Sequence, residues 1–190
     1  MINPNRQTRL FVVDDFYTDP HAVRQIALAQ EYCKNGSVGV RSLQQFIFPG
    51  LKEEFERIIQ NKIVNWADVH GICGRFQYCT PEDPLVYHCD QTRWAGIIYL
   101  TPDAPFETGT SLVAHKKTKI RTNEDSRIYE CFRDLGEPYF LDGTHFEEVD
   151  VVGNVFNRLV IWDARSIHAA RKYFGNNKNN CRLFQVFFFD

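Results

Sequence analysis

Residues 158–190 read RLVIWDARSIHAARKYFGNNKNNCRLFQVFFFD. Three short runs rich in Val, Ile, Phe and Trp are broken by turn-forming segments, and runs of this kind predict β-strands: RLVIWD, SIHAA and CRLFQVFFF, the last two parted by FGNNKNN. The same texture extends back to Gly74. GRFQYC, LVYHCD, WAGIIYL, TSLVAH and EEVDVV alternate with turn-rich pieces such as TPEDP and TPDAPFETG. The exception is the long, charged stretch from Lys119 to His145, which predicts a lid or binding loop with a short helix near Ser126 to Leu135.

The N-terminal part reads differently. Leu10 to Val13 predicts a strand. Asp19-Pro20 is a helix start, with an N-cap side chain and a proline in the first turn, and the helix is expected to run to about Tyr32 and end at Asn35-Gly36. After Pro49-Gly50, the residues Leu51, Phe55, Ile58, Ile59 and Ile63 form one apolar face of a second helix, which covers a sheet. Two covering helices followed by eight short strands predict a mainly β, α+β chain built as a double-stranded β-helix (jelly roll, cupin-like). Sixteen phenylalanines suit the wide space between two sheets.

A chain of 190 residues with 44% apolar content suits one domain with one core. Its net charge of −2 argues against a general phosphate-binding surface, so no nucleic-acid partner is expected. No apolar run suits a signal peptide or a membrane span, which predicts a soluble, intracellular, cytoplasmic protein. The six cysteines, at 33, 73, 79, 89, 131 and 181, contain no C-x-x-C pair and are expected as thiols.

Chemistry enters at His88-Cys89-Asp90. In an extended segment residues two apart face the same way, so His88 and Asp90 can reach one ion while Cys89 points away. His168 is a candidate third ligand. Two histidines and one carboxylate with open positions suit Fe(II) together with a cosubstrate and O2. Arg182 lies on an apolar strand, sharing a side with Phe184, Val186 and Phe188. A guanidinium there calls for a partner, which a dicarboxylate supplies or solvent at the strand end replaces. Residues 1–73 then read as a helical support region and 74–190 as a metal-binding core of a single domain spanning 1–190.

The order Tyr78, His88-x-Asp90, IIYL, Gly109-Thr110, His168 and Arg182 resembles the 2-oxoglutarate/Fe(II)-dependent dioxygenase superfamily, nearest its prolyl-4-hydroxylase-like branch. NRLVIWDARSIHAARKYFG followed by RLFQVFFF is also similar to small uncharacterised bacterial and phage oxygenases. The resemblance covers about Gly74 to Asp190. It implies iron held by His88, Asp90 and His168, and 2-oxoglutarate bound by Arg182 with Tyr78 and Tyr99 in its pocket. It further implies a hydroxylase that couples C–H oxidation to conversion of 2-oxoglutarate and O2 into succinate and CO2. Asp90 favours hydroxylation over halogenation, since related halogenases lack that carboxylate. The separation of His168 and Arg182 is longer than is usual in the superfamily, and GNNKNN is expected to absorb the excess.

Other residues carry weaker readings. His115 is an alternative ligand; His21, His70 and His145 read as surface or helix-start residues. The basic run His115 to Arg121 reads as a solvated strand end, with contact to an acidic substrate as the alternative. Arg93 is a candidate mouth residue and Trp94 a core one, while Arg165 and Arg171 could meet an anionic substrate. Competing functions are a non-catalytic jelly-roll binding module and a cosubstrate-free iron dioxygenase or metal hydrolase. The substrate is left open among small molecules, amino acids and peptidyl residues, as is the oligomeric state.

Overall fold

The computed structural model of the chain describes residues 2, 7–34, 38–66, 71–128 and 141–190. Ten strands and two helices follow in order: β1 (Leu10–Val13), α1 (Pro20–Leu28), β2 (Tyr32–Cys33), β3 (Val40–Gln45), α2 (Leu51–Ile59), β4 (Arg75–Cys79), β5 (Trp94–Tyr99), β6 (Thr110–His115), β7 (Phe146–Val152), β8 (Leu159–Asp163), β9 (His168–Ala170) and β10 (Arg182–Phe189). They form a seven-stranded sheet, β1-β8-β5-β10-β4-β3-β2, and a three-stranded sheet, β7-β6-β9. All pairings are antiparallel, and the architecture is the expected double-stranded β-helix with covering helices.

Strand alternation sorts the large sheet into two faces. Leu183, Phe187 and Phe189 of β10, with Trp94 and Ile98 of β5 and Leu159 and Ile161 of β8, pack under the helices against Phe55 and Ala27. Phe184 and Val186, with Ala95, Ile97, Tyr99, Val160 and Trp162, face the small sheet and meet its Leu112 and Val152. Each β10 side chain therefore has its destination set by parity. Helix α2 presents Leu51, Phe55 and Ile59 to the first face, as its apolar spacing predicts. Phe55 is fully buried and meets the rings of Trp66, Phe187 and Phe189 at 5.3, 5.0 and 5.5 Å.

Three local expectations are corrected. Helix α1 stops at Leu28 rather than near Tyr32. The Tyr32 hydroxyl donates to Ala27 O at 2.9 Å and Lys178 Nζ donates to Leu28 O at 2.6 Å, closing the carbonyl end. Tyr32 and Cys33 then pair with Ser42 and Arg41 as strand, and Asn35-Gly36 lies outside the described residues. Strand β3, VRSLQQ, is not signalled by its apolar pattern. It forms through β4, and buried Ser42 Oγ accepts from Phe76 N at 3.0 Å. LVYHCD is not a ladder strand: it makes a single bridge, His88 to His168, because β9 is only three residues long. The helix expected near Ser126 to Leu135 falls largely on 129–140, outside the described residues.

The GNNKNN segment does act as a compact turn. Asn180 Oδ1 accepts from the backbone of Asn176 and Asn177, and Cys181 N returns to Asn177 O. Arg24 of α1, itself buried, donates to Asn179 O and to Leu100 O, which anchors the turn to the helix layer. Among the described residues no helix is long and apolar enough to cross a membrane.

Truncating Phe55 to Ala should lower unfolding stability by about 3–5 kcal/mol, because the site lies between two sheet rings and Trp66 and collapses poorly. Urea unfolding followed by fluorescence checks this; a loss near zero would mean that the helix layer is not packed as described.

Candidate metal centre

His88 and His168 are eighty residues apart in sequence but opposite each other in space. Their backbones exchange both hydrogen bonds, His88 N to His168 O at 3.1 Å and His168 N to His88 O at 2.9 Å. Asp90 N donates to Ala164 O at 2.8 Å, so the third residue hangs from the turn between β8 and β9. The imidazole rings lie 4.4 Å apart at 51°, and Trp162 backs His168 at 5.0 Å. One nitrogen or oxygen from each of His88, Asp90 and His168 lies within 4.8 Å of the others.

The hydrogen bonds settle which nitrogens face inward. His168 Nδ1 is 2.9 Å from Ser166 O and His88 Nδ1 is 3.2 Å from Val86 O. A carbonyl only accepts, so Nδ1 of each ring donates and Nε2 keeps its lone pair. Those Nε2 atoms lie 3.4 and 3.5 Å from the two Asp90 oxygens. Asp90 Oδ2 is buried and has no hydrogen-bond partner. Three electron-rich groups thus converge on one point, with an orphaned carboxylate oxygen among them. Among the described residues nothing satisfies this arrangement, and a divalent cation would. Burial, reinforced by His88, pulls the His168 pKa down to about 4, which keeps the imidazole in the neutral form that binds metals.

Asp163 stabilises the turn that carries these contacts. Its carboxylate is fully buried and accepts from Arg9 Nη1 at 2.7 Å and from Arg165 Nε and Nη2 at 3.0 and 3.1 Å, with Arg93 Nη1 at 3.3 Å. Glu124 bridges Arg9 and Arg165 on the outer side. Ala164 O and Ser166 O, which hold Asp90 and His168, belong to this same turn. Arg93 and Arg165 are therefore structural partners of Asp163, Arg171 pairs with Glu148, and Trp94 is a core residue.

A cavity of about 330 Å³ lies between the sheets and is lined by His88, His168, Trp162 and Arg182. Arg182 is 4% exposed. Its Nε donates to Thr108 O at 3.0 Å and its Nη2 to Thr110 Oγ1 at 3.2 Å. The rings of Phe184, Tyr99 and Tyr173 surround it at 4.7, 5.3 and 6.0 Å. Among the described residues no carboxylate pairs with it. Gly109 makes the cradle possible, since a side chain there would run into the Val152 carbonyl. Without one, Thr108 and Thr110 both reach the guanidinium.

The two tyrosines divide. Tyr99 pairs with Phe184 in register, shares its face and is fully buried, with its hydroxyl 2.8 Å from Thr110 Oγ1. It stands behind the wall and orients Arg182 through Thr110. Tyr78 is opposite Leu183, so it takes the helix face and meets Tyr32 at 5.0 Å; the structure does not bring it to the cavity. Cys79 and Gln77 occupy the cavity face of β4 instead. Burial pushes the Cys79 thiol up to about 11, so it stays protonated. Tyr173, Arg41 and Gln77 line the cavity too and went unnoticed in the sequence. KYFG after His168 offered Tyr173 as a candidate, but Arg41 and Gln77 lie on strands that only pairing reveals.

The remaining histidines stay apart. His115 Nδ1 bonds Thr118 Oγ1 at 2.9 Å at the end of β6, His145 lies 3.4 Å from Asp142, His21 is exposed on α1, and His70 is outside the described residues. Cys89 turns away from the triad into the apolar cluster around Ile120 and Phe146. In the basic run, which follows the end of β6 and was expected as a solvated strand end, exposed Lys116 bonds Thr144 O and exposed Lys119 pairs with Glu147.

Residues 2–180 match the model of a family of unknown function, DUF6445. The chain belongs to that family. No curated protein matches it. Among solved structures, HygX from Streptomyces hygroscopicus with nickel and 2-oxoglutarate bound is similar at 12% identity, covering 94% of this chain and 81% of that one, with a TM-score of 0.51. A second HygX structure, which also holds hygromycin B, is similar at 11% identity with the same coverage and TM-score. A Pseudomonas putida prolyl-4-hydroxylase is similar at 13% identity, covering 95% and 91%, with a TM-score of 0.45. At these identities the likeness to HygX is one of fold, and the chain has the fold of the superfamily its sequence resembles.

Two outcomes are expected. Unfolded chain takes up a proton at His168 below pH 6.5 whereas folded, metal-free protein resists protonation down to about 4, so stability falls over that window as pH drops. The loss from this group reaches about 3 kcal/mol, and His168→Gln should flatten it in denaturant titrations across pH. Asp163→Asn should weaken Fe(II) or Co(II) affinity by about 10–100-fold in the folded protein, because the turn holding Asp90 and His168 loses its charged clasp. Unchanged affinity by metal titration would show that the turn is held by its backbone alone.

Proposed function

We propose that the chain is an Fe(II)- and 2-oxoglutarate-dependent oxygenase, a hydroxylase of C–H bonds in a small molecule, amino acid or peptidyl residue. The observation that carries this reading is Arg182: a buried guanidinium without a carboxylate partner among the described residues, lining the same cavity as two histidines of the candidate metal triad. A metal site alone suits many chemistries. A metal site that shares a cavity with a guanidinium lacking a carboxylate partner among the described residues suits a cosubstrate that chelates at one end and carries a carboxylate at the other. HygX, which shares the fold, holds nickel and 2-oxoglutarate.

In this reading His88, Asp90 and His168 hold the ion and leave its other positions open. When bound, Fe(II) with 2-oxoglutarate and O2 supplies the oxidising power for C–H hydroxylation as the cosubstrate becomes succinate and CO2. The chain's own part is placement and exclusion. Arg182 takes the far carboxylate, with its fork oriented by Thr108 O and by Thr110, which Tyr99 braces. Trp162, Phe184, Val186 and Phe188 give the cavity apolar walls that keep water from the reacting centre. The protonated Cys79 thiol adds no competing thiolate.

Anaerobic addition of Fe(II) and 2-oxoglutarate to metal-free protein should produce a weak visible charge-transfer band that needs both additions and is lost in His168→Ala. Arg182→Gln should raise the dissociation constant for 2-oxoglutarate by about 10–100-fold, the worth of a charge-assisted hydrogen-bonded pair, while leaving metal affinity within about threefold of wild type. Correctly folded protein that gives no band would leave a binding module or another metal chemistry as the better account.

A further inference from the structure

One indole on the cavity wall has a donor to spare. Trp162, on β8, lines the same space as His88, His168 and Arg182 and is 5% exposed. Its Nε1 is buried and has no hydrogen-bond partner among the described residues. A buried indole N–H ordinarily finds an acceptor, because leaving it unmet costs the hydration it gave up. The residues level with Trp162 on the neighbouring strands, Leu10 of β1 and Ala95 of β5, present apolar side chains. On the cavity side its ring lies 5.0 Å from that of His168, whose Nδ1 donates to Ser166 O and whose Nε2 is turned to Asp90. Two atoms of opposite kind, each buried and without a partner among the described residues, therefore flank His168: the acceptor Asp90 Oδ2 and the donor Trp162 Nε1. A cation answers the first. The second calls for an oxygen on a molecule bound beside that cation.

The place of the indole decides which part of that molecule it meets. Ala95 pairs with Trp162 on one side and with Phe188 of β10 on the other, so Trp162 stands level with Phe188. Arg182 is six residues back along β10, about 20 Å of extended backbone. The two donors thus stand toward opposite ends of the cavity, with Ile97, Phe184 and Val186 between them. The proposed cosubstrate is built in the same order, with an oxygen-rich group at each end and methylenes between. Its distal carboxylate goes to Arg182, which leaves the chelating 2-oxo acid at the end where Trp162 backs His168. We propose that Trp162 is a cosubstrate-binding residue whose indole N–H donates to a carboxylate oxygen of the metal-chelating 2-oxo acid. This deepens the proposed function and rests on it. The bond is charge-assisted, and an indole donates without accepting, so it selects an anionic oxygen at that place.

The test uses the intact chain with Fe(II), without oxygen, and two ligands. One is 2-oxoglutarate; the other is 2-oxobutyrate, which keeps the chelating 2-oxo acid and lacks the distal carboxylate. Each is titrated by the charge-transfer band. Trp162→Phe should raise the dissociation constants of both by about tenfold, the worth of a hydrogen bond to a charged acceptor. It should also move the band maximum while leaving Fe(II) affinity within about threefold of wild type. Arg182→Gln should instead weaken 2-oxoglutarate alone. The benzothiophene analogue of tryptophan placed at 162, which keeps the ring outline but has sulfur in place of the N–H, should reproduce the loss. Affinities unchanged by Trp162→Phe would overturn the proposal, as would a loss confined to 2-oxoglutarate, which puts the indole at the distal end. A loss that the analogue does not reproduce would overturn it by assigning the effect to ring shape. Wild-type protein without a band overturns the proposed function and this inference together, whereas a normal wild-type band with indifferent Trp162 variants overturns this inference alone. Thermal melting of each variant separates a binding effect from loss of fold, and if Trp162→Phe does not fold the analogue carries the comparison.

Discussion

One antiparallel rung, the exchange of backbone hydrogen bonds between His88 and His168, makes the rest of the site possible. It joins an irregular segment that belongs to no ladder to a strand of only three residues. Because facing residues of a rung present their side chains to the same side, the two imidazoles come together without a dedicated loop. Asp90 follows from the same arrangement. Two residues along an extended backbone returns to the same side, and Asp90 N is pinned to Ala164 O in the turn that leads to His168. The carboxyl oxygen left without a partner among the described residues is the consequence: the three side chains converge in an arrangement that could hold an ion.

A second constraint runs along β10. Parity sends Leu183, Phe187 and Phe189 under the helices and Arg182, Phe184 and Val186 to the cavity. Packing of the helix layer and placement of the guanidinium are therefore one decision. A slip of one residue would turn Arg182 to the helix face and Leu183 into the cavity. Bulky rings on the helix face oppose that slip more strongly than any polar contact could. The threonines that receive Arg182 belong to the opposite sheet, and they approach closely because Gly109 lets the Val152 carbonyl pass.

The buried charges follow two different rules. Asp163 is surrounded by three arginines and closes a structural turn, so its electrostatics are spent inside the protein. Arg182 is surrounded by rings, hydroxyls and a carbonyl, none of them anionic. Equal burial thus marks an internal clasp in one place and a candidate binding group in the other, and the partners rather than the burial separate them.

Much was legible in sequence because it depends on local periodicity and ligand chemistry. Seven of the eight strands expected after Gly74, the second helix with its Phe55 face, and the side of β10 that carries Arg182 all follow from alternation and helical spacing. The H-x-D pair with a late histidine likewise follows from what a facial metal site requires. What only tertiary structure decided is whatever depends on register between distant strands. Tyr78 sits ten residues before His88, yet pairing with Leu183 turns it to the helix face, while Cys79, Gln77 and Arg41 take the cavity side. Strand β3 and the early end of α1 were invisible for the same reason: VRSLQQ becomes strand because β4 is there to pair with it, Tyr32 because it pairs with Ser42 of β3, and α1 stops where Lys178 donates to the Leu28 carbonyl. A chain's own pattern determines which residues share a face. Hydrogen bonding to a partner strand determines what that face looks toward, and the partner is not written next to it in the sequence.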